Sequence, residues 1–362
     1  MRQGAEGRVG HRLRIMMRPP VTPRIEDTDE LADRLSDPSE HAIRALTALP
    51  GDILILGVAG KMGPTLAVMA RRAAVRAGTP RRIIGVARFS DTALQPRLEA
   101  RGVETIRCDL LDARAVARLP DAPLVVYMAG RKFGSTGQEP LTWAMNAAVP
   151  VLIAERYAGS RIAAFSTGNV YGLVAAAAGG SRETDGPRPV GEYAMSCLAR
   201  ERLFQHYAHA SSTPTAILRL NYATEMRYGL LVDLGQRILR AEPIDLTMGF
   251  VNVIWQGDAN AMTLRAFDHL ASPPSVFNVT GPEVLAVRRV AERFGERFGR
   301  PVNFQGVEAP DALLSDASLA LRLFGPPRVG ADRLIDLTAD WLLRDGATLG
   351  KPTHFEARDG RF

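Results

Sequence analysis

The most constraining segment of this 362-residue chain is Asp52-Ile-Leu-Ile-Leu-Gly57-Val-Ala-Gly60-Lys61-Met62-Gly63-Pro64. A short apolar run that ends in three glycines at intervals of three reads as a buried strand feeding a tight turn. Pro64, with its φ already fixed, suits the first position of a following helix. Without side chains, the turn lets backbone N–H groups approach a phosphate, and the helix N-terminus adds a favourable dipole. A glycine triplet alone is weak evidence; the strand before it and the helix after it give it meaning. Gly57, Gly60, Lys61, Met62 and Gly63 are therefore candidate phosphate-binding residues.

The strand–helix alternation continues downstream. Strands are expected near 52–57, 82–87, 103–108, 123–129, 161–167 and 215–220, with helices near 63–77, 91–101, 112–119, 138–157 and 191–210. This is the pattern of an α/β fold with a doubly wound parallel sheet. After Leu220 the regularity fades into a helix near 230–241, a strand near 250–253, a helix near 257–271, a strand near 276–279 and a helix near 285–298. Residues 49–220 are thus expected to form a dinucleotide-binding domain. Residues 221–362 are expected to form mainly a smaller C-terminal substrate lobe, with 250–279 returning to the main sheet. Residues 25–48 read as a helical extension. Asp27 with Glu30, and Asp37 with Glu40, have the spacing of an N-cap and its N3 partner, and Pro38 fits a first helical position.

The net charge of +6 raises a nucleic-acid reading, but its distribution argues against one. Residues 1–24 hold six arginines against the single acid Glu6, so the rest is nearly neutral and carries no basic stripe. This leader is expected to be disordered; it lacks the apolar stretch of a signal peptide. No apolar run is long enough to span a membrane. Cys108 and Cys197 are too few for a disulfide framework or a zinc site, and the six histidines form no ligand pattern, so no metal is expected. A reducing cytoplasm is the expected setting.

Several later segments follow in a recognisable order: Cys108-Asp109-Leu110-Leu111-Asp112, Val125-Val126-Tyr127-Met128-Ala129-Gly130, Asn146, Phe165-Ser166-Thr167-Gly168-Asn169-Val170-Tyr171-Gly172, and Tyr193-Ala-Met-Ser196-Cys197-Leu-Ala-Arg-Glu201. Together with the Gly-x-x-Gly-x-x-Gly turn, they resemble the extended short-chain dehydrogenase/reductase (NAD-dependent epimerase/dehydratase) family over roughly residues 52–300. The resemblance implies a Rossmann sheet binding NAD or NADP, with Asp109 and Leu110 at the adenine and Met128, Ala129 and Gly130 beside the cofactor. It also implies Thr167 and Tyr193 as catalytic groups, Tyr193 touching the cofactor as well, and a homodimer through helices 138–157 and 191–210.

The second strand bears on the choice of cofactor. It ends Ile83-Ile84-Gly85-Val86-Ala87-Arg88-Phe89-Ser90. NAD enzymes usually place an acid there for the ribose 2′-hydroxyl; here Ala87 is followed by Arg88 and Ser90, which favours the 2′-phosphate of NADP.

One family residue is missing. The family reads Tyr, three residues, then Lys, and Cys197 stands in the place of that Lys. A lysine ammonium lowers a nearby phenol pKa from about 10 by charge proximity. A neutral thiol does not. The chain has only Lys61, Lys132 and Lys351. Lys132, in Gly130-Arg131-Lys132-Phe133-Gly134, follows the fourth strand, so Lys132 or Arg131 is the candidate source of that charge. Cys197 reads as a buried structural thiol rather than a nucleophile.

The substrate segments, by the same resemblance, are Leu218-Arg219-Leu220-Asn221-Tyr222 and Phe250-Val251-Asn252-Val253-Ile254-Trp255. Family members that act on nucleotide sugars usually carry an arginine just before the Phe-Val element, where it pairs with the diphosphate. Asp245-Leu246-Thr247-Met248-Gly249 has none. A small carbohydrate, such as a sugar, lactone or sugar acid, is therefore expected as the partner, with neither nucleic acid nor membrane. Candidate substrate contacts are Lys132, Asn169, Asn221, Arg227, Asn252 and Trp255. The expected function is an NAD(P)-dependent epimerase/dehydratase or dehydrogenase transferring hydride at a hydroxyl-bearing carbon. A non-catalytic NAD(P)-binding regulator and a non-redox lyase or isomerase stay open as alternatives.

Overall fold

The computed structural model describes residues 24–132, 134 and 136–361. The expected disorder of the leader concerns residues that, Arg24 apart, lie outside these.

Seven parallel strands form the central sheet: β1 (Ile53–Leu56), β2 (Ile83–Ala87), β3 (Glu104–Arg107), β4 (Leu124–Tyr127), β5 (Arg161–Thr167), β6 (Thr215–Leu220) and β7 (Ser275–Val279). Their spatial order is β7-β6-β5-β4-β1-β2-β3, with β1 between β2 and β4. The chain therefore winds outward in one direction from β1 and then returns to wind in the other. The crevice at the strand ends where this order reverses is the usual ligand position in such sheets. β1, β2 and β4 are buried throughout, because helices cover both faces; this is why they read as continuous apolar runs.

On one face, helices Glu40–Ala48, Gly63–Arg76 and Gln256–Arg265 bury Leu46, Leu66 and Met262 against Ile53, Ile55 and Val126. On the other, helices Val149–Arg156 and Gly191–Ser211 bury Ile153 and Phe204 against Leu54, Val125 and Tyr127. A second core forms where helices Leu230–Leu239, Val287–Phe298 and Ala331–Leu343 meet around Leu234, Phe294 and Leu334.

Three details differ from the sequence expectations. Only Ser275–Val279 of the 250–279 segment joins the central sheet; Phe250–Val251 pairs antiparallel with Leu285–Ala286, and Ile254–Trp255 pairs with Ala223–Thr224. The second helix of the extension is capped by Ser39, whose hydroxyl accepts from Ala42 N, rather than by Asp37. In the first, Asp27 does cap, but Glu30 reaches back to Glu26 N and not to Asp27 N. Beyond Leu343 the chain runs back across the second lobe: Leu349 N donates to Arg227 O (2.9 Å) and Thr353 N to Asp233 (2.8 Å). Among the described residues, no helix is long and apolar enough to cross a membrane, and no cluster of His, Cys, Asp and Glu could hold a metal.

Candidate active site

A cleft of about 1350 Å³ opens at the end of β1, between the sheet and the second lobe. Its floor is the glycine turn. Gly57 adopts φ +91, and a Cβ there would lie 2.7 Å from the Ala129 backbone. A Cβ on Gly63 would overlap the Val58 carbonyl, so this glycine allows the helix to pack tightly on the turn. Gly63 itself does not line the cleft, whereas Gly57, Gly60, Lys61 and Met62 do. The helix that starts at Gly63 is 14 residues long and has no side-chain cap; Gly63 N donates to Gly60 O (3.2 Å) and Pro64 has no N–H, so the helix offers an anion its dipole and the Thr65 N–H rather than a full set of free donors. This glycine cradle and uncapped helix fit a dinucleotide pyrophosphate.

The expected adenosine end is assembled as the sequence suggests. Arg88, Ser90, Asp109 and Leu110 line it, and Met128, Ala129 and Gly130 continue the wall from β4. Asp109 accepts from Leu111 N at 3.1 Å, which fixes its own turn. Two further groups, which sequence reasoning missed, come from the extension: Thr28 and Asp29, at the start of its first helix, also face the cleft.

At the other end the structure brings together Lys132, Thr167, Asn169, Tyr193, Asn221 and Arg227. Thr167 ends β5 and Tyr193 lies in the first turn of helix Gly191–Ser211. The Thr167 hydroxyl lies beside the Tyr193 phenol and donates to Asn169 Oδ1 (2.9 Å). Burial pushes the phenol pKa well above its ordinary value. Neighbouring Cys197 adds to that rise, while Arg200 and the nearby Thr167 hydroxyl oppose it. Lys132 Nζ sits 5.9 Å from the Tyr193 ring centroid, and burial lowers its pKa to about 8. The loop after β4 thus brings the Lys132 ammonium over the Tyr193 ring.

Other expected residues fall elsewhere. Asn252 and Trp255 are nearly fully buried and do not line the cleft. Asn252 serves as a support: its Oδ1 accepts from Asn221 Nδ2 (2.9 Å), and its own amide donates to Ser315 O (2.6 Å). Trp255 is drawn into the second core by the pairing of Ile254–Trp255 with Ala223–Thr224. Cys197 is fully buried with Val170 and Tyr171, packed as a small apolar side chain behind Tyr193, and does not itself line the cleft. Arg227 lines the cleft but pairs with buried Glu225 (3.2 Å).

The remaining groups that sequence reasoning missed are cationic or come from the tail. Arg200, two helical turns after Tyr193, lines the cleft although only 6% exposed. It donates to Phe165 O (3.0 Å) and to Asn146 Oδ1 (2.7 Å). Asn146 is held in a π-helical turn, Ala144–Ala148, and its amide donates to Arg131 O (2.9 Å) and Ser196 Oγ (3.0 Å). Such turns inside helices often mark functional sites. The i, i+7 spacing from Tyr193 was the available signal for Arg200. Leu349, Lys351 and Thr353 wall the far side of the cleft, and no local pattern announces them. Lys61 bridges the two parts: its ammonium donates to Ala223 O (2.8 Å) and lies 4.5 Å over the Tyr228 ring.

Comparison with known proteins agrees with this architecture. Residues 53–223 match the model of the NAD dependent epimerase/dehydratase family. The fold is similar to that of MoeE5, solved with UDP-glucose and NAD: 22% identity, TM-score 0.66, covering 82% of this chain and 99% of that one. It is also similar to UDP-glucuronic acid 4-epimerase of Bacillus cereus, solved with UDP-glucuronic acid and NAD, at 19% identity and TM-score 0.66, covering 81% and 99%. UDP-glucose 4-epimerase of Thermus thermophilus, solved with NAD, gives 21% identity and TM-score 0.64, covering 80% and 98%. No curated protein is similar enough in sequence to count as a match.

Proposed function

We propose, from the match of residues 53–223 to the NAD dependent epimerase/dehydratase family model, that the chain is an NAD(P)-dependent enzyme acting on a carbohydrate at a hydroxyl-bearing carbon. The observation that carries the proposal is the placement of Thr167 and Tyr193 together on the wall of the cleft that also holds the Gly57–Gly60 turn. When bound, a nicotinamide dinucleotide accepts hydride from such a carbon and can return it.

The chain's own residues orient the sugar and move its proton. Thr167 and Tyr193 are placed to hold the reacting hydroxyl, and Tyr193 to exchange its proton. Lys132 stabilises the deprotonated phenol from the β4 side. Asn169 and Asn221 offer further polar contacts to a polyhydroxylated ligand, with Asn221 fixed by Asn252 behind it.

Similar structures hold sugars joined to a nucleoside diphosphate. A small sugar, lactone or sugar acid suits this chain better. The segment before Phe250 supplies no arginine, Arg227 is already paired with Glu225, and the tail from Leu349 to Thr353 narrows the substrate end. For the cofactor, exposed Arg88 and Ser90 at the adenosine end favour the 2′-phosphate, whereas the similar structures carry NAD.

The deciding experiment is to purify the protein without added cofactor, denature it and identify released nucleotides by mass spectrometry. NADP or NAD released in stoichiometric amount supports a cofactor recycled within each turnover and decides between the two forms. If none is released and no dinucleotide binds in titration, the proposal is rejected. The replacement of Lys by Cys197 keeps a regulatory reading in view; dinucleotide binding without turnover on any carbohydrate is the outcome that favours it.

A further inference from the structure

Cys197 leaves helix Gly191–Ser211 without a cation one turn after Tyr193, yet a guanidinium enters the same region from one turn further on. Arg200 is the fixed point. Its Nη2 bonds Asn146 Oδ1 at 2.7 Å and its Nη1 bonds Phe165 O at 3.0 Å, while Nε is buried without a hydrogen-bond partner. The guanidinium carbon lies 5.7 Å over the Tyr127 ring. A Cβ built on Gly130 would fall 2.5 Å from Nη2, so the glycine at this wall position gives the guanidinium room where it lies. Asn146 Nδ2 is 4.0 Å from Cys197 Sγ, which locates the guanidinium and the thiol on either side of one amide.

We propose that Arg200 is the cofactor-binding cation of this site, holding the nicotinamide-ribose end of the dinucleotide in place of a lysine at position 197. The inference rests on the dinucleotide-binding reading above. Physical reasons favour Arg200 over Lys132 for this role. An arginine keeps its charge at every working pH, whereas burial brings Lys132 to about 8, so the lysine is partly discharged in neutral solution. Arg200 is also locked by two hydrogen bonds from the sheet and the π-helical turn. A preorganised donor loses little freedom when a ribose hydroxyl arrives. The neutral thiol at 197 then makes sense: a second cation there would face the guanidinium across Asn146.

The test is dinucleotide binding by calorimetry, with AMP as the control for the adenosine end. Arg200→Met and Arg200→Gln are expected to weaken NAD(P)H at least tenfold and leave AMP affinity within about twofold, as expected for loss of a charged hydrogen-bond donor. Normal AMP binding also certifies that a variant is folded. Adding Cys197→Lys to Arg200→Met should restore most of the loss, whereas Cys197→Lys alone should not tighten binding. Unchanged NAD(P)H affinity in either Arg200 variant overturns the inference, and so does a tenfold gain from Cys197→Lys alone. If the wild type binds AMP but no dinucleotide, the functional reading fails first and separately.

Discussion

Arg219 grips Glu201 with two parallel bonds behind Ser166 of the cleft wall, Nε to Oε1 at 2.9 Å and Nη2 to Oε2 at 2.7 Å. Both side chains are almost wholly buried, at 4% and 1% exposure. The remaining valences are filled: Ser166 donates to Glu201 (2.6 Å), and Arg219 Nη1 donates to Tyr171 OH (2.7 Å), which in turn donates to Asn278 (2.8 Å). This network ties helix Gly191–Ser211 to β5, β6 and β7. Arg219→Met should therefore destabilise the protein by about 3–5 kcal/mol, because it strands a buried carboxylate. Replacing both members, Glu201→Leu with Arg219→Met, should cost clearly less than the single change. Urea unfolding of the two variants measures this; a double variant no more stable than the single one contradicts it.

Gly57 should tolerate no side chain. Its φ of +91 is open to glycine, and the Cβ of an alanine would press on the Ala129 backbone, which cannot yield without moving β4. Gly57→Ala is expected to cost about 1–3 kcal/mol in stability through backbone strain. It should also abolish measurable dinucleotide binding, because the turn is displaced. Thermal melting and a NADH fluorescence titration read the two effects separately. Wild-type affinity in a folded variant would mean that the turn does not carry the pyrophosphate.

The sheet was legible because its signal is local. A strand buried on both faces needs a short apolar run, and Ile53–Leu56 and Leu124–Tyr127 satisfy this from composition alone. The resemblance pointed to Thr167 and Tyr193, and the structure puts them at the end of β5 and in the first turn of a helix, on one cleft. Asn252 and Trp255 are not on it. A register that pairs Trp255 with Thr224 and Val251 with Leu285 decides which side of these short strands faces the cleft. Ser39 displaced Asp37 as a cap by a shift of two residues, within the range where several polar side chains compete for the same N–H groups. Lys351 and Thr353 reach the cleft only because a distant anchor, Asp233, holds Thr353. No spacing rule connects residues so far apart.

Lys132 should react as an unusually acidic amine. Burial lowers its pKa to about 8, so its neutral, nucleophilic form gains population as pH rises through that value, about two units below an ordinary lysine. Limiting acetic anhydride applied across pH 6–10, followed by peptide mass spectrometry, should show half-maximal labelling of Lys132 near pH 8. Bound dinucleotide or substrate should slow that labelling by covering the cleft. A labelling midpoint above 10 would place the ammonium in bulk water and remove it from the phenol.

Tyr193→Phe should lower turnover by about 10²–10⁴-fold, the usual contribution of a positioned proton-transfer group, while leaving dinucleotide affinity within about twofold. The pH dependence follows from the direction of the phenol's shift. Burial holds its pKa above the ordinary value, so at neutral pH the free enzyme keeps the proton on oxygen. Taking a proton from a sugar hydroxyl requires the phenolate, whose population grows with pH. Carbohydrate oxidation by the wild type should therefore speed up steadily between pH 7 and 9, without reaching a plateau, and Tyr193→Phe should flatten that limb. Reduction in the opposite direction needs the protonated phenol and should hold constant over the same range. Initial rates followed by nicotinamide absorbance in both directions test this; an oxidation rate that levels off below pH 8 would show that another group, with Lys132 the nearest candidate, sets the proton balance of the site.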